Sequence, residues 1–104
     1  MSSQENYQVE TILDNHIANT TLEHINNHTF IHITVHSWKP SHIKFLRKEF
    51  DKFKKTFKMW NTGELFSYTK NLKFCKLMGP HTFIGYSPVL PEIGESLAIV
   101  KWKL

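Results

Sequence analysis

SHIKFLRKEFDKFKKTFKMW, residues 41–60, is the stretch that decides the fold. Ile43, Leu46, Phe50, Phe53, Phe57 and Trp60 recur at steps of three and four, which places them on one side of an α-helix. Lys44, Arg47, Lys48, Lys52, Lys54, Lys55 and Lys58 fill the remaining surface. A stripe of three phenylalanines and a tryptophan needs a broad apolar surface to cover it, and a sheet face supplies one. Trp60 is therefore expected in the interior.

Working outward, the segment before the helix, TFIHITVH at 29–36, is rich in β-branched and aromatic residues and reads as a strand. Ile31, Ile33 and Val35 line one face, and Phe30, His32, Thr34 and His36 the other. Pro40 closes the linker, Ser41 is the expected N-cap, and Gly63 in Asn61-Thr62-Gly63 permits a left-handed helix end. ELFSYT at 64–69 reads as a strand, and Asn71 caps a short helix, LKFCKLM, stopped by Gly79-Pro80. HTFIGY at 81–86 is a further strand. Three breakers, Pro88, Pro91 and Gly94, make 87–96 a loop before a last strand, LAIVKW, antiparallel to the preceding one. Upstream, YQVETIL at 7–13 alternates as a strand with Tyr7 and Val9 on one side. Residues 14–28 admit two readings: a short helix capped by Thr20 or Thr21 and carrying Leu22 and Ile25, or a second strand ending in an Asn26-Asn27 turn. The strand reading is preferred. A strand–helix–strand order implies a right-handed parallel crossover. The expected fold is α/β (α+β): a mixed, twisted sheet with one long amphipathic helix and one short helix.

At 104 residues the chain has room for a single core, so residues 1–104 form one domain, with 1–6 a loose tail. Its 40% hydrophobic content exceeds that of disordered chains. No apolar run approaches the roughly 20 residues of a membrane span, and the polar start, MSSQENYQVE, is unlike a secretory leader. A lone Cys75 excludes an internal disulfide and points to a reducing, cytoplasmic setting. On that reading the N-x-T sequons at Asn19 and Asn27 are chance matches.

Charge is unevenly placed. Residues 1–36 contain no Lys or Arg and four acids, whereas 37–76 hold eleven basic residues against three acids. A cationic middle attracts phosphate, nucleic acid or an acidic protein. The plainer reading is a solvated helix face whose lysine stems cover apolar neighbours, and it is favoured. His24, His28, His32 and His36 recur every four residues, a metal-sharing step on a helix. On a strand the same step spans about 13 Å, so partly exposed strand residues are expected and no metal site. No nucleophile triad, phosphate loop, zinc spacing or paired carboxylates stand at recognisable spacing. Trp38, in a loop beside lysines, is the better aromatic for an interface.

The segment ELFSYTKNLKFCKLMGP resembles the late strand and helix of GNAT-superfamily N-acyltransferases through Thr69, Asn71, Phe74, Leu77, Met78 and Gly79. TFIHITVH with the helix after it is similar to that family's central strand and acyl-CoA-binding helix, and the last strands to its C-terminal hairpin. KFCKLMG is similar to a helix of small phage-encoded GNAT-like proteins. The resemblance covers about residues 29–104. It implies that the backbone of Thr34, Val35 and His36 holds the pantetheine arm of acetyl-CoA and that Asn71 contacts the cofactor. Two departures bear on activity. Where the family has a glycine-rich loop cradling pyrophosphate, this chain has HSWKPSHIK without glycine. Where the family often has a general-acid tyrosine, it has Cys75, read as a small buried filler, so the catalytic residue is unknown. The expected function is a GNAT-like binding or interaction module that has lost acyl-CoA-dependent catalysis and needs no cofactor, a phage protein acting on a host factor or sitting in a virion. A protein partner is expected over a small molecule, nucleic acid is possible through the basic helix, and no membrane partner is expected. The alternative is an active acetyl-CoA-dependent N-acetyltransferase.

Overall fold

The structure, a computed structural model, describes residues 7–25, 28–60 and 64–104. The expected tail at 1–6, the Asn26-Asn27 turn and the helix stop at 61–63 lie outside the described residues.

The elements run β1 (Tyr7–Asp14), β2 (Ala18–Ile25), β3 (His28–Val35), α1 (Pro40–Trp60), β4 (Leu65–Thr69), α2 (Leu72–Met78), β5 (His81–Tyr86) and β6 (Ala98–Trp102). Six strands form one mixed sheet in the order β1-β2-β3-β4-β6-β5, with two helices, an α+β fold as the patterning implies. Of the two readings for residues 14–28, the strand is the one adopted: β2 lies antiparallel between β1 and β3. Asn15 makes the preceding turn, its Oδ1 accepting from Ile17 N at 2.8 Å and Ala18 N at 3.0 Å. The pair β3–β4 is parallel, as a strand–helix–strand unit requires. The last strand, β6, pairs with β5 and also with β4, leaving β5 at one edge of the sheet and β1 at the other.

One face of the sheet carries the core. Ala18 and Leu22 of β2, Ile31 of β3, Leu65 of β4, and Val100 and Trp102 of β6 are buried together with Leu46, Phe50 and Phe57 of α1. Phe50 meets Trp102 edge-on at a ring separation of 4.6 Å. The short helix joins the same layer through Phe74, Cys75 and Met78. Asn71 caps it as expected, Oδ1 accepting from Phe74 N at 3.0 Å.

Three expectations about the long helix are corrected. Trp60 is 80% exposed rather than interior. The helix continues three residues past Phe57, the last of its side chains buried in the core, and Trp60 at its end leaves that contact. Ser41 is not the N-cap: the helix starts one residue earlier, at Pro40, and Lys39 O accepts from His42 N and Ile43 N. Proline suits that first position because its missing N–H would have had no helical acceptor. Lys54 is buried, not part of the solvated surface. Its stem lies between the helices while its ammonium sits 3.4 Å from Asp51 Oδ1 and 4.9 Å from the centre of the Phe50 ring.

Gly79 ends α2 where this lysine passes. Its φ of +125° is a conformation that side chains rarely adopt, and an added Cβ would stand 3.0 Å from Lys54 Nζ. Arg47 closes the same corner, donating to Asp51 and, through Nη1, to Leu77 O at 3.0 Å. Replacing Gly79 by alanine is expected to cost about 1–3 kcal/mol, read as a lower urea midpoint with unchanged slope.

Candidate functional site

The parallel ladder between β3 and β4 is short. Only Thr29–Leu65 and Phe30–Phe66 are in register, yet β3 runs on to Val35 and β4 to Thr69. Where the ladder stops, Ser67 takes over. Its buried hydroxyl donates to Ile31 O at 2.9 Å and accepts from Trp102 Nε1 at 2.8 Å. One side chain thus joins β3, β4 and β6 where the ladder ends.

Of the cofactor residues implied by the resemblance, Thr34, Val35 and His36 lie at the end of β3 and Asn71 at the start of α2. Thr34 and Val35 end β3, paired with Asn19 and Ala18 of β2. His36 N donates to Ile17 O at 2.8 Å, and Ser37 N to the same oxygen at 3.2 Å. Alternate residues of a strand turn their peptide groups to opposite neighbours, so His36 faces β2 and Val35 faces the β4 side. Asn71 is exposed, its side-chain oxygen engaged in the helix cap and its N–H donating to Thr69 Oγ1 at 2.8 Å. Trp38, 54% exposed, reaches from the loop before α1 to the Phe74 ring of α2, the two meeting edge-on at 5.5 Å.

The chemistry of these groups is muted. Cys75 is buried, and burial pushes its thiol pKa up while a hydrogen bond with Thr69 pulls the other way. Burial, with the nearby Glu23 carboxylate, also pushes the Tyr68 phenol up. Both groups keep their protons at neutral pH. Tyr68 stands in a column on the face of the sheet away from the helices. Its ring stacks on Phe30 at 4.6 Å and on His32 at 5.8 Å, and His32 Nε2 lies 3.1 Å from Glu23 Oε1. Strand alternation alone puts Phe30 and His32 on one face; joining them to Tyr68 requires knowing that β3 neighbours β4, which periodicity does not carry.

The remaining histidines do not converge. His24 lies 3.1 Å from both Glu10 Oε1 and Thr29 Oγ1, on the opposite face of the sheet from His32. Among the described residues no three His, Cys, Asp or Glu side chains group to hold a metal ion. A hollow of about 300 Å³ opens between α1 and the β1–β2 hairpin, walled by Leu13, Ile33, Phe50 and Phe53. None of Thr34, Val35, His36 or Asn71 lines it.

Compared with protein-family models, curated proteins and solved structures, the chain matches none. The fold defines it as a small α+β domain with a six-stranded mixed sheet. Among the described residues no helix is long and apolar enough to cross a membrane.

Two outcomes follow from these contacts. Ser67→Ala leaves the buried Ile31 carbonyl and Trp102 N–H without their partner, and a loss of about 2 kcal/mol in unfolding free energy is expected. Cys75 and Tyr68 bind their protons more tightly folded than unfolded. Their stabilisation is therefore complete below the ordinary thiol pKa of about 8.5 and is lost as pH rises through the raised values. Urea midpoints measured across the alkaline range should fall, and Cys75 should react with a disulfide reagent slowly until urea opens the fold.

Proposed function

We propose that the chain is a GNAT-like module that has lost acyl-CoA-dependent transfer and serves as a contact surface for a macromolecule. What supports the scaffold is the order of elements from residue 28 onward: a central strand, the long helix, a parallel strand, an Asn-capped helix ending at Gly79, and a hairpin. The observation that carries the loss lies at the entry to α1. The N–H groups of His36 and Ser37 both go to Ile17 O, and Pro40, at the first helical position, has none to offer. A pyrophosphate would need such groups turned toward it. Lys39 and Lys44 supply charge near that turn but no cradle, and Trp38 packs edge-on against Phe74 of α2 beside it. The residues present do not fit acetyl-CoA. A buried Cys75, holding its proton, also replaces the exposed acid that transfer would use. On this reading the chain is a phage-type protein working on a host factor in the host cytoplasm or within a virion.

The test is a calorimetric titration of the full chain with acetyl-CoA, paired with thermal unfolding. No heat of binding and no rise in melting temperature are expected up to about 1 mM ligand. An active N-acetyltransferase would instead gain about 2.7 kcal/mol of stability at a hundredfold excess over its Kd, a shift of several degrees. If that gain appears and Asn71→Ala abolishes it, the cofactor site survives and the proposal fails.

A further inference from the structure

The two helices lie on one face of the sheet, so their outward sides form a single surface. Lys44, Lys48, Lys55 and Lys58, at steps of four, seven and three, climb one side of α1 over about 21 Å. Lys73 and Lys76 stand on the neighbouring α2, whose end is tied to α1 by Arg47. All six are exposed, and among the described residues no carboxylate comes within 4.0 Å of any of them. The acids of α1 are already engaged: Glu49 pairs with Lys52, and Asp51 with Arg47 and Lys54. α2 has no acid at all. The helix layer therefore carries a two-row cationic array that no acid among the described residues neutralises.

We infer that this array is a docking surface for the phosphate backbone of a nucleic acid duplex, bound without regard to sequence. Charge complementarity selects a polyanion. The residue types narrow the choice. Protein interfaces deplete lysine and concentrate aromatic residues, methionine and arginine at their centres, whereas here lysines make up the rows, the exposed Met59, Trp60 and Leu77 stand at the helix ends, and the lone arginine is engaged with Asp51 and Leu77 O. Lysine acts as a point charge on phosphate and reads no base. Leu46, Phe50 and Phe57 of α1 are committed to the sheet, whereas Met59 and Trp60 in its last turn stay exposed, so a lipid surface is separated from a duplex by the vesicle arm of the test below. A single strand would need a row of open aromatic faces. Phe30, Tyr68 and His32 turn their faces to one another, and the exposed Trp38 and Trp60 stand at opposite ends of α1 rather than in a row. The inference names a partner for the proposed module and rests on that reading only in treating the chain as a contact surface. The acetyl-CoA titration and a duplex titration succeed or fail separately.

The test is fluorescence anisotropy of labelled DNA and RNA duplexes of about 24 base pairs, titrated with the full chain from about 50 mM salt upward. Six lysines on phosphate predict a slope of log K against log salt of about −5. The combined variant Lys44→Ala, Lys48→Ala, Lys55→Ala should flatten it by about 2.7. Lys101→Ala, on the opposite face and paired with Glu64, should leave it unchanged. All four positions are at least partly exposed, and melting curves check that each variant folds. Binding to both duplexes, or to one of them, supports the inference and tells which polymer supplies the phosphates. No binding at about 50 mM salt, or a slope the triple variant does not change, overturns it. Equal or tighter binding to the single strand, to phosphatidylserine vesicles or to polyglutamate also overturns it.

Discussion

The fold depends on one contact layer, in which Leu46, Phe50 and Phe57 of α1 press on Ile31, Leu65, Val100 and Trp102 of the sheet. Each such side chain contributes about 1.5–3 kcal/mol by leaving water, and the layer is continuous only because β6 lies beside β4. If β5 held that place instead, the helix would lose Val100 and Trp102 beneath it. The insertion of the last strand between β4 and β5 is thus part of the same constraint. The short helix follows from it, since Phe74, Cys75 and Met78 join the core from the flank that α1 leaves open.

Beside that layer runs a short parallel seam. Parallel strands pair less firmly per residue, and β3–β4 keeps register for only two residue pairs. Ser67 replaces the missing ladder with side-chain bonds to Ile31 and Trp102. Ile17 O gathers the N–H groups of His36 and Ser37, which holds the β1–β2 turn to the end of β3, and Trp38 lies against Phe74.

Burying one side of α1 leaves its other side to water, and charge accumulates there. The helix cannot neutralise its lysines locally, since Glu49 and Asp51 already pair with Lys52, Arg47 and Lys54. Of the cations read from the pattern as solvent-facing, Lys54 alone turned inward, where Gly79 leaves room for its ammonium beside Asp51 and the Phe50 ring. The inward lysine braces the two helices and the outward ones define the surface.

Local chemistry wrote much of this into the chain. The 3.6-residue period of Ile43 to Phe57 specifies a helix with one apolar side, the alternation of Ile31, Ile33 and Val35 a strand with one buried face, and Asn71 and Gly79 the ends of α2, because each depends on neighbours a few residues away. Strand order, the exposure of Trp60, the burial of Lys54 and the bonding of His36 N to Ile17 O depend on surfaces brought together from distant parts of the chain. Periodicity tells which side of an element is apolar, but only tertiary packing decides what meets that side and how far the contact extends.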